Sequence, residues 1–316
     1  MLIDMAHDGL GFPVRIPVLV ARGVKDGPTF GVTAALHGNE LNGMPVIHGL
    51  MRSVSAQNLR GTVVGVVAMN PPGVVRRQRA FSDDSDLNHI MPGRHDGTGA
   101  QAYAHRIIER IVRHFDYLVD LHTASFGRAN CLYIRADMTD ETIARMAYLQ
   151  RPQIIVHNPP NDLTLRGMAQ ELGIPAITLE IGNPHRFQSE YIRRSRVGLR
   201  AVLSAAGMVQ KRPVALGEAP VLCERSYWFY TDHGGLLEVL PPVTDRVEEG
   251  EVVARLSSVF GDVVRSYLAP QSGVVIGKSV DPIAETGARI LHLGLVTSDD
   301  HPYVPRDLDT ILRLPE

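Results

Sequence analysis

The first two-thirds of the chain alternates strand-like and helix-like segments, and this alternation limits the fold more than any other feature of the sequence. Strands that alternate with helices are typical of an α/β sheet with parallel strands. The apolar, strand-like segments are residues 28–36, 62–69, 117–121 and 176–181. The segments with helical spacing of apolar residues are 42–53, 101–114, 166–172 and 188–206.

The pattern changes near residue 212. Beyond it, short Val/Leu runs are separated by glycine-containing turns about 10–12 residues apart, and no segment has a helical pattern. This spacing predicts a small all-β barrel or sandwich. The chain is therefore expected to contain an α/β catalytic domain, residues 1–212, and a β-rich domain, residues 213–316.

Composition excludes several classes of protein. Of 316 residues, 44% are hydrophobic and 21% are charged, and the formal net charge is −2, which gives no basic field for nucleic acid. No segment predicts a membrane span or a signal peptide. Two cysteines, Cys131 and Cys223, are too few for a disulfide framework or a cysteine zinc site. We expect a cytoplasmic protein with a small-molecule substrate and no nucleic-acid or membrane partner; a homo-oligomer is compatible with the sequence.

The first motif with chemical meaning is His37-x-x-Glu40, which follows an apolar strand. Imidazole and carboxylate together suit Zn²⁺, and Gly38 allows the turn between them to tighten. A single His-x-x-Glu is also common as a surface pair, so this motif alone leaves both interpretations open.

A second apolar strand, residues 117–121, leads directly into His122. Sites in α/β sheets form at the carboxyl ends of strands, so His37, Glu40 and His122 can meet at one edge. Two histidines and one glutamate would leave a fourth zinc position open, as a catalytic zinc requires. The alternative is that His122 is a hydrogen-bonded residue at a strand end.

Glu180 interrupts a third apolar strand. Burying an unpaired carboxylate is costly, so Glu180 needs either a partner or a chemical role. Beside a zinc-bound water it would act as a general base; otherwise it forms a salt bridge with one of the many arginines.

A long polar loop follows the strand of residues 62–69 and contains Arg76, Arg77 and Arg79. Loops of this length are usually functional or disordered. The arginines could polarise a carbonyl group, bind an anion or form a solvated face.

Taken in order, these motifs resemble the zinc carboxypeptidase clan, and most closely its succinylglutamate desuccinylase/aspartoacylase branch. The resemblance covers nearly the whole chain, since that branch also carries a small β domain. It implies a mixed, mostly parallel sheet flanked by helices, with a small C-terminal all-β barrel or sandwich. The motifs are His37-x-x-Glu40, Asp86-Leu87-Asn88, Asp120-Leu121-His122-Thr123 and Glu180-Ile181-Gly182.

The resemblance also implies roles for the residues of the motifs. His37, Glu40 and His122 would bind one zinc ion per chain. Glu180 would be the general base and later the acid, and Asp86 would orient His37.

Three further residues have roles that the resemblance implies. Arg79 would stabilise the oxyanion, although Arg76 and Arg77 lie close in sequence. Asn88 would help hold the substrate, and Arg166 lies where relatives often carry an arginine that faces the substrate.

The chain departs from the family pattern at position 89. The family has Asp-Leu-Asn-Arg, whose arginine binds the carboxylate of the substrate, but this chain has His89. Histidine offers one good donor and is mostly neutral at pH 7, whereas arginine offers two parallel donors and a permanent charge. Either another arginine, with Arg166 and Arg94 as candidates, binds the carboxylate, or the substrate presents a different group there.

These inferences predict a zinc-dependent amide hydrolase that removes the acyl group from a small N-acylated amino acid or related compound. Zinc would lower the pKa of its bound water to about 7, and Glu180 would take the proton of that water. The alternatives are a zinc peptidase acting on peptides or cell-wall fragments, and a non-catalytic binding protein with the same fold.

Overall fold

The computed structural model describes residues 1–160, 162–210 and 218–298. In these residues the predicted α/β architecture is confirmed: one large mixed sheet is flanked by helices. The strands of the first part are β1 (Leu2–His7), β2 (Pro13–Arg22), β3 (Lys25–Ala34), β4 (Arg60–Val66), β5 (Tyr117–His122), β6 (Arg128–Asn130), β7 (Leu132–Ala136), β8 (Ile154–His157) and β9 (Ala176–Ile181).

Six α-helices and three short 3₁₀ helices connect these strands. None of the described helices is long and apolar enough to cross a membrane. The α-helices are α1 (Gly43–Ser53), α2 (Pro71–Arg76), α3 (Gly99–Arg110), α4 (Glu141–Leu149), α5 (Leu165–Glu171) and α6 (Ser189–Ala205). The 3₁₀ helices are Ala56–Asn58, Leu87–His89 and Val112–His114.

The centre of the sheet is parallel. Strands β4, β3, β5 and β9 lie side by side in that order, all pairing in parallel, and β7 then pairs antiparallel with β9. The carboxyl ends of β3, β5 and β9 therefore meet at one edge. This is the edge at which sites form in α/β sheets.

Helices cover both faces of the sheet because each presents apolar side chains at helical spacing. Val46, Ile47 and Leu50 of α1 pack in one cluster with side chains of α4 and α6. Tyr103 and Ile107 of α3 pack in a second cluster, together with side chains of α5. The sheet lies between these two cores.

The last part of the described chain is built from strands alone, as predicted. Four of its strands form a separate antiparallel sheet, in the order β14-β13-β11-β16. The others extend the large sheet, because β10 pairs in parallel with β8 and is followed by β17, β15 and β12. The strands are β10 (Val221–Tyr230), β11 (Gly235–Val239), β12 (Arg246–Val247), β13 (Val252–Ser257), β14 (Val263–Leu268), β15 (Gly273–Ser279), β16 (Ile283–Ala284) and β17 (Arg289–Val296).

The two sheets share an apolar core, to which Leu256 of β13 and Leu293 of β17 both belong. The predicted small sandwich is thus one separate sheet packed on the end of the large one. The predicted domain boundary at residue 212 lies outside the described residues.

Two details near the predicted site differ from the sequence-based expectation. Strand β3 ends at Ala34, three residues before His37, since Ala35 adopts a positive φ of 52° and turns the chain. The long loop after β4 also contains a helix, α2. Prolines at its start fix a helical φ, and the Asn70 side chain accepts a hydrogen bond from the Gly73 amide.

Gly38 lies where the His37–Glu40 turn packs against the backbone of α2. A Cβ atom at Gly38 would lie 2.0 Å from the carbonyl carbon of Gly73 and 2.3 Å from the amide nitrogen of Val74. These neighbours are backbone atoms of α2, so no flexible side chain could move aside to make room for the Cβ. The absence of a side chain here lets the turn lie directly on α2.

We predict that Gly38→Ala lowers the free energy of unfolding by about 1–3 kcal/mol, the usual cost of forcing extra atoms into a packed region. Chemical denaturation measures this change. Gly99→Ala is the matched control, because a Cβ at Gly99 meets no atom within 4 Å. Equal stability of the two variants would show that the turn does not pack on α2 as described.

Candidate metal and catalytic site

A cavity of about 340 Å³ opens at the carboxyl ends of β3, β5 and β9. The three predicted metal ligands and Glu180 all line it. A concave pocket lined by convergent polar groups is the usual form of a small-molecule site. The sheet edge predicted from the motifs is therefore the edge that carries the cavity.

His37, Glu40 and His122 form one buried cluster whose potential ligand atoms lie within 4.8 Å of one another. The two Nδ1 atoms of His37 and His122 are 3.2 Å apart. Glu40 Oε1 lies 3.1 Å from His37 Nδ1, and Glu40 Oε2 lies 2.9 Å from His122 Nδ1. The His37–Glu40 turn and His122 at the end of β5 thus direct their ligand atoms toward one point.

Each histidine is held from behind by an aspartate. His37 Nε2 donates to Asp86 Oδ1 at 2.9 Å, and His122 Nε2 donates to Asp120 Oδ2 at 2.8 Å. Asp120 in turn accepts from the Thr33 hydroxyl at 2.6 Å. Such carboxylate–histidine pairs fix the ring orientation and the tautomer of metal ligands.

The donor set fits a metal ion. When both rings are neutral and their Nε2 atoms donate to the aspartates, both Nδ1 atoms present lone pairs to each other and to the Glu40 carboxylate. Three acceptors at these distances repel one another unless a cation lies between them. Two imidazoles and one carboxylate are a ligand set that zinc accepts.

The charges of the cluster are mutually dependent. Burial alone would raise the pKa of Glu40, but His37 and His122 together hold it well below its usual value. Burial alone would lower the pKa of His122, but the charges and hydrogen bonds of Asp120 and Glu40 raise it well above its usual value. The site therefore favours an anionic glutamate next to positive charge.

Arg79 is bound into this cluster. Its Nη1 donates to Glu40 Oε1 at 3.0 Å and to the Ser125 hydroxyl at 2.5 Å, and its Nε donates to Asp86 Oδ2 at 2.8 Å. Ser125 also donates to Glu40 Oε1 at 2.7 Å. Arg79 lines the cavity, whereas Arg76 donates to backbone carbonyls outside it and Arg77 ends helix α2.

Glu180 lies beside His122 on the neighbouring strand. The two residues are register partners in the parallel pair β5–β9. Burial and the negative charge of Glu40 raise the pKa of Glu180. Its Oε2 accepts a long hydrogen bond of 3.5 Å from Asn130 Nδ2, and no salt bridge to Glu180 forms among the described residues. A raised pKa next to a metal site is the environment that a general base requires.

The predicted substrate-binding residues also line the cavity, but they differ in whether their side chains are already engaged by other protein groups. Asn88 Oδ1 accepts from the Leu165 amide at 2.8 Å. The His89 side chain is 65% exposed and lies 3.7 Å from Asp86 Oδ2. Arg166 is buried and is bound by Asp162 and by the carbonyl oxygens of Asn158 and Pro159.

Arg94, the other candidate carboxylate-binding arginine, is exposed and pairs with Asp96. It does not line the cavity. Arg166 and Arg94 were the candidates to bind the substrate carboxylate in place of an arginine at position 89. Arg166 is already paired inside the protein, and Arg94 lies at the surface away from the cavity.

Further cavity-lining residues belong to none of the motifs. Arg128 lies at the start of β6, and Tyr133 and Arg135 lie on β7. Tyr133 and Arg135 are two residues apart on a strand and so share a face, but the sequence pattern did not predict a strand here.

The C-terminal strands also supply part of the cavity wall. Trp228 of β10 and His292 of β17 both line the cavity, and their rings stack with centroids 5.1 Å apart. Burial, together with Arg135 and other nearby arginines, holds the pKa of His292 well below its usual value. No motif places these strands beside the metal cluster, because their position depends on the pairing of β10 with β8.

Comparison with known proteins agrees with this architecture. The N-alpha-acetyl-L-2,4-diaminobutyric acid deacetylase of Halomonas elongata is 24% identical over 269 residues, 81% of this chain and 77% of that protein. A succinylglutamate desuccinylase of Pseudomonas paraeruginosa is 28% identical over 197 residues. This second match covers 58% of this chain and 59% of the Pseudomonas protein, less than two thirds of its length.

Two solved structures share the fold over almost the whole chain. The product-bound ectoine utilization protein EutE (DoeB) from Ruegeria pomeroyi has a TM-score of 0.85 at 22% identity, covering 93% of this chain and 94% of that one. A succinylglutamate desuccinylase/aspartoacylase from Rhodobacter sphaeroides has a TM-score of 0.84 at 22% identity, covering 94% of both chains.

The sequence model of the succinylglutamate desuccinylase/aspartoacylase catalytic domain matches residues 26–206, more than half of the chain. This range contains His37, Glu40, Asp86, His122 and Glu180. The chain therefore belongs to the succinylglutamate desuccinylase/aspartoacylase family.

Proposed function

We propose that this protein is a zinc-dependent hydrolase that cleaves the amide bond of a small N-acylated amino acid or a related compound. The observation that supports it most strongly is the convergence of His37 Nδ1, His122 Nδ1 and Glu40 on one point of a cavity that Glu180 also lines. Two relatives point the same way, since both of their names describe removal of an acyl group from an amino-acid derivative.

Zinc is the proposed metal because its open sites use three protein ligands drawn from histidine and glutamate. When bound, zinc would acidify a water molecule and polarise the acyl carbonyl group. His37, His122 and Glu40 would hold it, and Asp86 and Asp120 would keep the two imidazole rings oriented.

Glu180 is the proposed general base. It takes a proton from the attacking water and then passes that proton to the departing amine, because the leaving nitrogen must be protonated to leave. The raised pKa of Glu180 suits both steps, since a carboxylate in an environment that favours protonation takes up a proton more readily and can then return it.

Arg79 is the proposed oxyanion-stabilising residue. Its guanidinium group is held in place by Glu40, Asp86 and Ser125 at the edge of the cavity. A fixed donor in a partly buried site stabilises developing negative charge without having to reorganise. Asn88 is the proposed residue that helps to position the substrate; it lies in the 3₁₀ helix Leu87–His89, and its side chain accepts from the Leu165 amide.

The first prediction from this proposed function concerns the metal. Purified protein should hold one zinc per chain, and His122→Ala should lose most of it, because one of three ligands is removed. Elemental analysis of the purified proteins measures this. His89→Ala, which changes an exposed histidine of the same cavity, should keep its zinc. Full zinc content in both His37→Ala and His122→Ala would rule out the proposed site.

The second prediction concerns the base. Glu180→Gln keeps the shape of the side chain but cannot accept a proton, so kcat should fall by at least ~10²-fold while zinc content is unchanged. Steady-state kinetics with a metal assay on the same sample separates the two effects. Near-normal kcat in Glu180→Gln would place the base elsewhere.

The third prediction concerns position 89. We expect poor hydrolysis of N-acetyl-aspartate and of C-terminal peptide bonds, because His89 does not supply the paired donors of an arginine. His89→Arg should lower KM for an N-acyl amino acid with a free α-carboxylate by about ten- to a hundredfold.

The α-amide of the same substrate is the matched control for His89→Arg, and its KM should not improve. A variant that treats acid and amide alike would show that position 89 does not face the α-carboxylate. Efficient cleavage of C-terminal peptide bonds by the unmodified protein would instead favour the peptidase interpretation.

A further inference from the structure

The two oxygens of the Glu40 carboxylate have different hydrogen-bond partners. Oε1 accepts from Arg79 Nη1 at 3.0 Å and from the Ser125 hydroxyl at 2.7 Å. Oε2 accepts from the Thr123 amide at 3.1 Å. Each oxygen of an ionised carboxylate has about two lone-pair directions. When both imidazole rings are neutral, hydrogen-bond donors therefore occupy Oε1 fully, whereas Oε2 keeps one lone pair for a metal ion.

Ser125 completes this difference between the two oxygens. A serine hydroxyl has one proton to donate, and a guanidinium group is a donor only. Arg79 Nη1 donates to Ser125 Oγ at 2.5 Å, so the hydroxyl proton is directed to Glu40. The chain of hydrogen bonds from Arg79 through Ser125 to Glu40 thus has one direction.

The loop that carries Ser125 is held on both sides. The Ala124 amide donates to the carbonyl oxygen of Gly182 at 2.8 Å, and the Arg128 amide donates to the carbonyl oxygen of Ser125 at 3.2 Å. Ser125 and Glu40 are both buried. A hydrogen bond to a charged group that is shielded from bulk water is costly to lose. The hydroxyl of Ser125 is therefore a fixed partner of Glu40.

The number of oxygens that Glu40 offers to a metal matters for catalysis. Three protein ligands leave a fourth zinc position for water only if each of them supplies one ligand atom. A carboxylate that binds through both oxygens supplies two, and its second oxygen then competes with water for the open position.

We propose that Ser125 is a positioning residue that restricts Glu40 to one metal-binding oxygen, Oε2, and so keeps a coordination position open for water. The proposal rests on the metal site of the proposed function and adds a residue that none of the sequence motifs assigns. Ser125 acts through Glu40, because its hydroxyl contacts the oxygen that faces away from the free lone pair.

A purely supporting role for Ser125 predicts a different result. Loss of a group that only orients a metal ligand lowers metal affinity by about 10–100-fold. If Ser125 instead occupies Oε1, its loss frees a lone pair and leaves more negative charge on the carboxylate. Ser125→Ala should then bind zinc at least as tightly as the unmodified protein.

Competition with a chelator measures the zinc Kd of the two proteins. Ser195→Ala is the matched control, because it removes a buried hydroxyl from α6 that has no hydrogen-bond partner among the described residues. Its zinc Kd should equal that of the unmodified protein. A zinc Kd that rises tenfold or more in Ser125→Ala alone would overturn the proposal and favour the supporting role.

The open position is tested by a probe that binds the metal directly. Protein loaded with cobalt(II) is titrated with imidazole, and the visible absorption of the cobalt gives Kd. Imidazole is suitable because it is neutral, so the charge of Arg79 does not attract it. In Ser125→Ala it should bind at least ~10-fold more weakly, because Glu40 Oε1 competes for the same position. An equal imidazole Kd in the two proteins would overturn the proposal.

The same variant has an expected kinetic signature. Its kcat should fall at least ~10-fold because less of the enzyme has a position open for water, while KM changes little. The combination of retained zinc, weaker imidazole binding and lower kcat is specific to the proposed role.

The outcomes separate this proposal from the proposed function. Metal binding with the expected change in imidazole Kd, but without hydrolysis of any amide, supports the role of Ser125 and contradicts the hydrolase. Hydrolysis with the same imidazole Kd in both proteins supports the hydrolase and contradicts the role of Ser125.

Discussion

Two imidazole nitrogens and a carboxylate that all present lone pairs to one point are the constraint on which this site depends. The Nδ1 atoms of His37 and His122 lie 3.2 Å apart because Asp86 and Asp120 hold the opposite nitrogens. A metal cation between the three groups would satisfy such a cluster without breaking those two hydrogen bonds. The surrounding structure, from the Gly38 turn to the strand end at His122, keeps the three groups together.

The parallel strands place further polar side chains beside this local cluster. The register of β5 and β9 sets Glu180 beside His122, and the antiparallel strand β7 sets Tyr133 beside Glu180. The metal cluster, the proposed base and the row of cavity side chains thus follow from pairing in one sheet. The C-terminal strands close the cavity with Trp228 and His292, so the β-rich part contributes to the site itself.

The fold class and the metal cluster could be predicted from the sequence because their signals are local. Apolar strands ending near His37 and at His122 mark a shared sheet edge, and Glu180 interrupts a strand where a carboxylate is costly. The places of Arg128, Arg135, Trp228 and His292 could not be predicted in this way. They depend on the pairing of distant strands, β9 with β7 and β10 with β8, which no local pattern specifies. The sequence did not predict helix α2, because prolines are typical of loops. Prolines are also common in the first turn of a helix, and this is where they lie in α2.

Zinc K-edge X-ray absorption of the purified protein tests the central claim most directly, since it reports the ligands of the metal rather than the consequences of binding. The account predicts nitrogen and oxygen ligands at about 2.0–2.1 Å, with the outer scattering of two imidazole rings and no sulfur at about 2.3 Å. In His37→Ala that has been reloaded with zinc, the imidazole contribution should fall to one ring. A sulfur ligand, or an unchanged imidazole contribution in that variant, would contradict the account.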